Sequence, residues 1–128
     1  MSCIVPNMRT ATCGDRIMDD SLAGDGSGDH YFQFTAPSSG GSLTADTCLS
    51  HFDTKLAIFD TPFCPGSSET QLAFSDDDNG TLCGSYSDPS SLNSVIYDFP
   101  MVPSKTYMIK VEGFGSSDGE YDLELNCA

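Results

Sequence analysis

The sequence has few positive charges and no tryptophan. Of its 128 residues only 5 are Lys or Arg, against 19 Asp or Glu, which gives a formal net charge of -14 at pH 7. A protein this acidic has the opposite electrostatics to one that binds nucleic acid or an anionic membrane. We therefore expect neither as a partner. Repulsion among the carboxylates also opposes a compact state, and bound divalent cations would relieve it.

Long apolar segments are absent as well. The longest apolar runs, such as residues 56–59, are strand-sized and far shorter than the roughly 20 residues that cross a bilayer as a helix. We expect no membrane insertion. Residues 1–6 lack the apolar core of a signal peptide, so we expect a mature or excised segment. The length suits a single domain over residues 1–128, with residues 1–12 as an N-terminal arm.

The cysteine spacing excludes the common zinc and thioredoxin-like motifs, because no Cys-x-x-Cys pair is present. An even number of widely spaced cysteines favours disulfides, and hence a secreted protein in an oxidising, extracellular compartment. The six cysteines are Cys3, Cys13, Cys48, Cys64, Cys83 and Cys127.

Helical periodicity is missing too. Short alternating segments lie between clusters of Gly, Ser, Asp and Pro, a pattern typical of an all-β, antiparallel β-sandwich or barrel of about eight strands. The predicted strands cover residues 31–35, 43–48, 54–60, 71–74, 94–99, 106–112 and 120–126, with a further strand within 13–22.

Alternation along these strands predicts which side chains face the core. The inward set is Phe32, Phe34, Leu56, Ile58, Leu72, Phe74, Val95, Tyr97, Tyr107, Ile109, Val111, Tyr121, Leu123 and Leu125. The outward set is Gln33, Lys55, Asp98, Lys110, Asp122 and Glu124.

Acidic residues gather at the ends of two predicted strands. Adjacent carboxylates repel one another, so a fold that holds them together usually does so around a hard cation, most often calcium outside cells. If antiparallel strands simply alternate in direction, the acidic loops converge at the end of the sandwich where the strand at Tyr31 begins. We call this the near end, and the opposite one the far end. The predicted calcium ligands are Asp53, Asp76, Asp77 and Asp78, followed by Asp29 and Asn79.

The segment from Asp76 to Gly80 has a simpler interpretation as a solvated turn, since Asp, Asn and Gly dominate turns that bind nothing. It does not fit an EF-hand, whose sixth position is Gly, because Thr81 stands there. Asn79 also begins an N-glycosylation acceptor pattern, and a glycan there would exclude ligation by its side chain.

Strand direction also limits which cysteines can pair, because bonded cysteines must lie at the same end of the sandwich. Cys48 and Cys83 fall at the near end, where a Cys48–Cys83 bridge would clamp the loop before Asp53 to the loop after Asp78. Cys13, Cys64 and Cys127 fall at the far end, and Cys3 is free to join them. Of the three connectivities that four cysteines allow, we favour Cys3–Cys127 with Cys13–Cys64.

Five segments in order resemble the pre-peptidase C-terminal domain family of bacteria. They are residues 28–37, Cys48 with 52–56, 76–78, 105–113 and 119–123, which span about a hundred residues. The resemblance implies a jelly-roll-like β-sandwich attached to secreted bacterial proteases and other exported proteins. There it serves as a non-catalytic binding, targeting or maturation module, often with calcium. The chain departs from the family in its many cysteines and in carrying no protease domain.

Together these features predict a secreted, calcium-binding, non-catalytic module for adhesion, targeting or assembly, whose partner is an extracellular protein or polysaccharide. One alternative is a structural subunit that forms a homo-oligomer or polymer in an extracellular filament or sheath. Another is a carbohydrate-binding module using Tyr31, Phe63, Tyr86 or Phe114. A hydrolase or zinc site built on His30 or His51 lacks a nucleophile elbow and the close His spacing of zinc sites.

Overall fold

The computed structural model describes residues 9–19, 29–48, 54–60, 71–76, 93–113 and 121–128. Within these ranges the chain forms nine strands and no helix. The strands are β1 (Arg9–Ala11), β2 (Arg16–Asp19), β3 (Asp29–Thr35), β4 (Gly41–Asp46), β5 (Thr54–Phe59), β6 (Gln71–Ser75), β7 (Val95–Met101), β8 (Thr106–Gly113) and β9 (Tyr121–Cys127).

The strands form two sheets. One has five strands in the order β1-β3-β8-β5-β6, and the other has four in the order β2-β9-β4-β7. Every pairing is antiparallel except that of β1 with β3. The predicted all-β sandwich is confirmed. No helix in the described ranges is long and apolar enough to cross a membrane.

All seven main predicted strands are present, and the further strand within 13–22 appears as β2. β1 lies inside the predicted N-terminal arm and was not predicted as a strand. It is too short to show an alternating pattern, yet its Ala11 is buried and pairs with Phe34 of β3. Residues 1–8 of the arm lie outside the described residues.

The main core lies between the two sheets and is built by the predicted alternation. Eleven of the predicted inward residues are buried: Phe32, Phe34, Leu56, Ile58, Val95, Tyr107, Ile109, Val111, Tyr121, Leu123 and Leu125. A second, smaller buried cluster consists of Tyr31, Ala57, Phe59 and Met108. On β3, β5 and β8 these four positions alternate with core residues, so the cluster belongs to the outer face of the five-stranded sheet.

The prediction that Leu72, Phe74 and Tyr97 face inward is wrong, because all three are about half exposed. In β6 the phase is reversed: Ala73 pairs with the core residue Ile58 and packs against the core, so its neighbours point away.

Tyr97 is displaced by a β-bulge in β7. Leu43 pairs with Phe99 and Ala45 with Ile96, so two residues of β7 lie opposite the single residue Thr44. Asp98, the second of the two, has a φ of 49°. A bulge of this kind shifts the alternation by one residue, which the sequence pattern alone does not reveal.

The prediction that Asp122 faces solvent is also wrong. Asp122 is buried, and the guanidinium of Arg16 on the adjacent strand β2 donates to it, with Nη2 2.7 Å from Oδ2 and Nε 3.0 Å from the same oxygen. The hydrogen bond and the negative charge of Asp122 raise the pKa of Arg16 above its usual value. The partner supplied by β2 therefore allows a carboxylate inside the sheet. Of the other predicted outward residues, Gln33 and Asp98 are exposed, and Lys55, Lys110 and Glu124 are partly exposed.

Cys13 is bonded to Cys127, with a Cα–Cα distance of 5.6 Å. The predicted Cys3–Cys127 and Cys13–Cys64 pairings are therefore wrong, although the far-end placement of Cys13 and Cys127 is correct. The register explains the choice. Arg16 pairs with Glu124, and the same register continued toward the far end brings Cys13 opposite Cys127.

Candidate cation site at the near end of the sandwich

Four strand ends meet at the near end. Asp46 ends β4, Thr54 begins β5, Asp76 follows β6 and Ser94 precedes β7. Hydrogen bonds join the four segments: Thr47 N donates to Ser94 O at 2.9 Å, and Ser94 Oγ lies 2.8 Å from Asp76 O and 2.7 Å from Thr54 O. The ends of β4, β5, β6 and β7 therefore meet at one end of the sandwich, as strand counting predicts, while most of the acidic loops lie outside the described residues.

The predicted ligands divide between described and undescribed parts of the chain. Asp76 is described with its side chain. Asp29 begins β3, opposite Glu112 at the end of β8, and only its backbone is described. The other candidates, Asp53, Asp77, Asp78 and Asn79, lie outside the described residues, although Asp53 precedes Thr54 in the sequence and Asp77 and Asp78 follow Asp76.

Asp76 has a carboxylate oxygen that is unsatisfied within the described residues. Its Oδ1 atom is buried and has no hydrogen-bond partner in the part of the chain that the structure describes. A carboxylate oxygen shielded from water without a donor is costly, so the site calls for a positive charge or a donor beside it.

Next to Asp76 lies a cluster of three buried hydroxyl groups, which we call the hydroxyl cluster: Thr47, Thr54 and Ser94. Thr47 Oγ1 is 2.6 Å from Thr54 Oγ1, and Thr54 Oγ1 is 3.2 Å from Ser94 Oγ. Ser94 Oγ also lies 2.7 Å from Thr54 O, and Thr47 Oγ1 lies 3.3 Å from Ser94 O.

The hydroxyl cluster has more oxygen–oxygen contacts than hydrogens to fill them. With the contact to Asp76 O, there are five, whereas the three hydroxyl groups bring one hydrogen each. Ser94, for example, can donate fully to Thr54 O or to Asp76 O, but not to both. The hydroxyl groups share these contacts, and Ser94 N also donates to Thr47 Oγ1 at 2.9 Å, so the near end presents hydroxyl and carbonyl oxygens of the kind that a hard cation takes as ligands.

Cys48, next to Thr47 of the hydroxyl cluster, forms a disulfide bond. It is buried and disulfide-bonded, and its N–H donates to Asp46 Oδ1 at 3.1 Å. Since Cys13 and Cys127 are bonded to each other, its partner lies outside the described residues. The Cys48–Cys83 bridge stays a prediction, because Cys83 is also outside them.

Within the described ranges, no group of three or more His, Cys, Asp or Glu side chains could hold a metal ion. Further carboxylate ligands beside Asp76 would therefore have to come from outside the described ranges, where the predicted Asp53, Asp77 and Asp78 lie. Sequence reasoning missed Thr47 and Ser94, because nothing in the chain distinguishes them from its other hydroxyl residues. Their one signal is that each is a polar residue in the first or last two positions of a predicted strand.

His30 contacts Tyr121 at the start of β9. Its Nδ1 lies 2.9 Å from Tyr121 Oη, and the two rings meet edge to face at 5.5 Å. His51, the other histidine considered for catalysis or zinc, lies outside the described residues.

No protein-family model matches the sequence, and no curated protein is significantly similar to it. Among solved structures, the chain aligns with the pre-peptidase C-terminal domain of collagenase from Bacillus anthracis. The TM-score is 0.58 at 11% identity, over 93% of this chain and 94% of that one. The fold resembles that of a pre-peptidase C-terminal domain. The predicted resemblance is thus confirmed, and at this identity it shows the fold alone.

Two weaker alignments are with PliG, a periplasmic inhibitor of g-type lysozyme. The Aeromonas hydrophila protein gives a TM-score of 0.48 at 10% identity, covering 93% of this chain and 99% of that one. The Salmonella Typhimurium protein gives 0.37 at 11%, covering 92% and 99%. Both TM-scores are too low to support an argument.

Beyond the pre-peptidase C-terminal domain fold, the cysteines indicate the compartment. Cys13–Cys127 is a disulfide and Cys48 is disulfide-bonded. Such bonds persist in oxidising surroundings, as in the periplasm or outside the cell.

Proposed function

We propose that this chain is a secreted, non-catalytic β-sandwich module that binds calcium at its near end and serves adhesion, targeting or assembly. The observation that carries the proposal is the buried Oδ1 of Asp76, which has no hydrogen-bond partner in the described part of the chain, on a residue whose backbone oxygen contacts Ser94 of the hydroxyl cluster. Asp76 would ligate the ion together with Asp53, Asp77 and Asp78, and Asp29 and Asn79 are the next candidates.

The chemistry of these donors favours calcium over other metals. Carboxylate and amide oxygens suit a hard cation, whereas zinc prefers the nitrogen and sulfur of His and Cys. Calcium accepts six to eight oxygens in irregular geometry, which fits ligands drawn from several loops, while magnesium demands a near-ideal octahedron. The ion's role would be to hold strand ends together and to offset part of the charge of -14.

One feature supports a binding role. Asp76 and the hydroxyl cluster connect backbone segments of four strands, an arrangement suited to rigidifying loops. Tyr31, one of the aromatic residues considered for stacking on sugar, is buried on the outer face of the five-stranded sheet, which weakens the carbohydrate-binding alternative.

The test is thermal unfolding with calcium and with chelator. Extracellular modules often bind with dissociation constants of about 0.1–1 mM, so about 10 mM calcium should stabilise the native state by about 1.4–2.7 kcal/mol. The melting temperature should rise by several degrees. Asp76→Asn should remove most of this rise.

The matched control is Asp60→Asn. Asp60 follows β5 at the far end and pairs with Lys105 at 2.7 Å, so the substitution makes the same charge change away from the site. Its calcium-induced rise should equal that of the wild type. A wild-type midpoint that calcium does not move, or moves equally in Asp76→Asn, would refute the proposal.

A further inference from the structure

β5 and β6 stop pairing just before the candidate cation site. Their last paired positions toward the near end are Leu56 and Ser75. β5 begins before this pair, at Thr54, and Asp76 directly follows β6. Asp76 is a predicted ligand, and Thr54 comes immediately after another one, Asp53, in the sequence. The pairing of the two strands therefore does not reach the residues whose separation matters for a bound ion.

Ser94 bridges these two chain segments from the opposite sheet. It immediately precedes β7 and is fully buried. Its Oγ lies 2.7 Å from Thr54 O and 2.8 Å from Asp76 O. One hydroxyl group therefore contacts two carbonyl oxygens, one at the start of β5 and one after the end of β6, beyond the point where their pairing has stopped.

The backbone around Ser94 is held by contacts that do not involve its hydroxyl group. Its N–H donates to Thr47 Oγ1 at 2.9 Å, and its carbonyl oxygen accepts from Thr47 N at 2.9 Å. The next residue, Val95, donates its N–H to Ser75 Oγ at 3.0 Å. The hydroxyl group is thus presented from a backbone that is anchored to both β4 and β6, as preorganisation of a site requires.

Ser94 is better placed to orient ligands than to be one. Its single hydrogen is shared between Thr54 O and Asp76 O, and Thr54 Oγ1, 3.2 Å away, can donate to one of its lone pairs. Holding Asp76 O limits where the buried carboxylate oxygen of the same residue can lie. Ser94 therefore acts on the site through Asp76 and through the start of β5.

We propose that Ser94 is the positioning residue of the candidate cation site, because its hydroxyl group fixes the start of β5 relative to Asp76. The inference rests on the proposed calcium binding and extends it, by naming a residue that sets the affinity without touching the ion. Calcium affinity depends on the rigidity of a site as well as on the charge of its ligands. Removal of a group that orients metal ligands typically lowers affinity about 10–100-fold.

The experiment is an NMR titration of the full chain with calcium chloride into the millimolar range, for the wild type and for Ser94→Ala. The substitution removes the hydroxyl group, keeps the charge and needs no additional space. The calcium dissociation constant should rise about tenfold. In chelator, deuterium exchange should become faster in the near-end parts of β5 and β6, because the hydroxyl group no longer joins them.

Tyr107→Phe is the matched control. It also removes one hydroxyl group from a buried side chain, whose Oη accepts from Val102 N at 2.9 Å at the far end. Both variants should melt at a lower temperature than the wild type in chelator, because each loses a hydrogen bond. Only Ser94→Ala should raise the calcium dissociation constant. This difference separates positioning of the ligands from a general loss of stability.

Two outcomes overturn the inference while the proposed function stands. One is a wild type and a Ser94→Ala variant that bind calcium equally well. The other is an equal loss of affinity in Tyr107→Phe, since the effect would then follow overall stability. A wild type that does not bind calcium refutes the proposed function, and this inference with it. A cooperative melt in chelator checks that each variant is folded before it is titrated.

Discussion

The pair of Asp122 and Arg16 shows how one residue on a neighbouring strand allows a carboxylate to be buried. The carboxylate of Asp122 is 8% exposed, whereas the Arg16 side chain is 50% exposed. Asp122 is therefore the member of the pair whose charge is shielded from water and depends on its partner. A buried carboxylate is tolerated when its partner is well placed, and it becomes strongly destabilising when that partner is removed.

Arg16→Met should accordingly lower the urea midpoint, because it leaves the carboxylate of Asp122 without its guanidinium. The double variant Arg16→Met/Asp122→Leu should recover part of the loss, since no buried charge then remains. Lys105→Met is the control, because Lys105 and Asp60 are both about one-third exposed and such pairs contribute little. Equal losses in Arg16→Met and Lys105→Met would contradict this interpretation.

The sequence revealed single residues unevenly, for a physical reason. Apolar side chains such as Ile58 and Ile109 follow a period of two, and burial of one face requires that period. A buried polar residue such as Ser94 or Asp122 depends instead on a partner from a distant segment. The sequence draws attention to Asp76 because adjacent acids are unusual by themselves, and nothing in it draws attention to Thr47.

At the scale of elements, the sequence predicted where the strands lie but not the irregular pairing of the edge strands β6 and β7. Alternation and turn residues located all the main strands, and their directions placed Cys13 and Cys127 at the same end. The bulge in β7 and the reversed phase of β6 arise from pairing with β4 and β5, which no local pattern reports. The pairing of β2 with β9 was missed for the same reason, and the connectivity of Cys13 with it.

Replacing both Cys13 and Cys127 with Ser should lower the free energy of unfolding by about 2–5 kcal/mol. The bond closes a loop with a sequence separation of 114 residues, so it restricts much of the unfolded chain. Urea unfolding of the variant and the wild type under non-reducing conditions measures the difference. A loss below about 1 kcal/mol would show that the pairing of β2 with β9 holds this end without the bond.

At the scale of the whole molecule, the two ends of the sandwich differ in chemistry. The near end combines Asp76, the hydroxyl cluster and the disulfide-bonded Cys48, while the far end is closed by Cys13–Cys127. Thr47 of the hydroxyl cluster directly precedes Cys48. An ion at Asp76 would therefore reduce local opening around Cys48 and leave the far end unaffected.

Calcium should consequently slow the reduction of the Cys48 disulfide by dithiothreitol, but not that of Cys13–Cys127. Timed alkylation followed by peptide mass spectrometry measures both rates in one sample, so the far-end bond serves as the internal control. Asp76→Asn should abolish the protection of Cys48. Equal slowing of both bonds would point to global stabilisation, and no slowing despite calcium binding would show that the two sites are not coupled.

The bond between Cys13 and Cys127 also determines how the domain responds to mechanical tension. A pull that reaches the domain through chain on either side of these two residues passes directly from one sulfur to the other. The strands from β2 to the end of β9 lie inside the closed loop and carry none of that force. A domain closed in this way keeps the strands from β2 to β9 folded under load, until a reductant opens the bond.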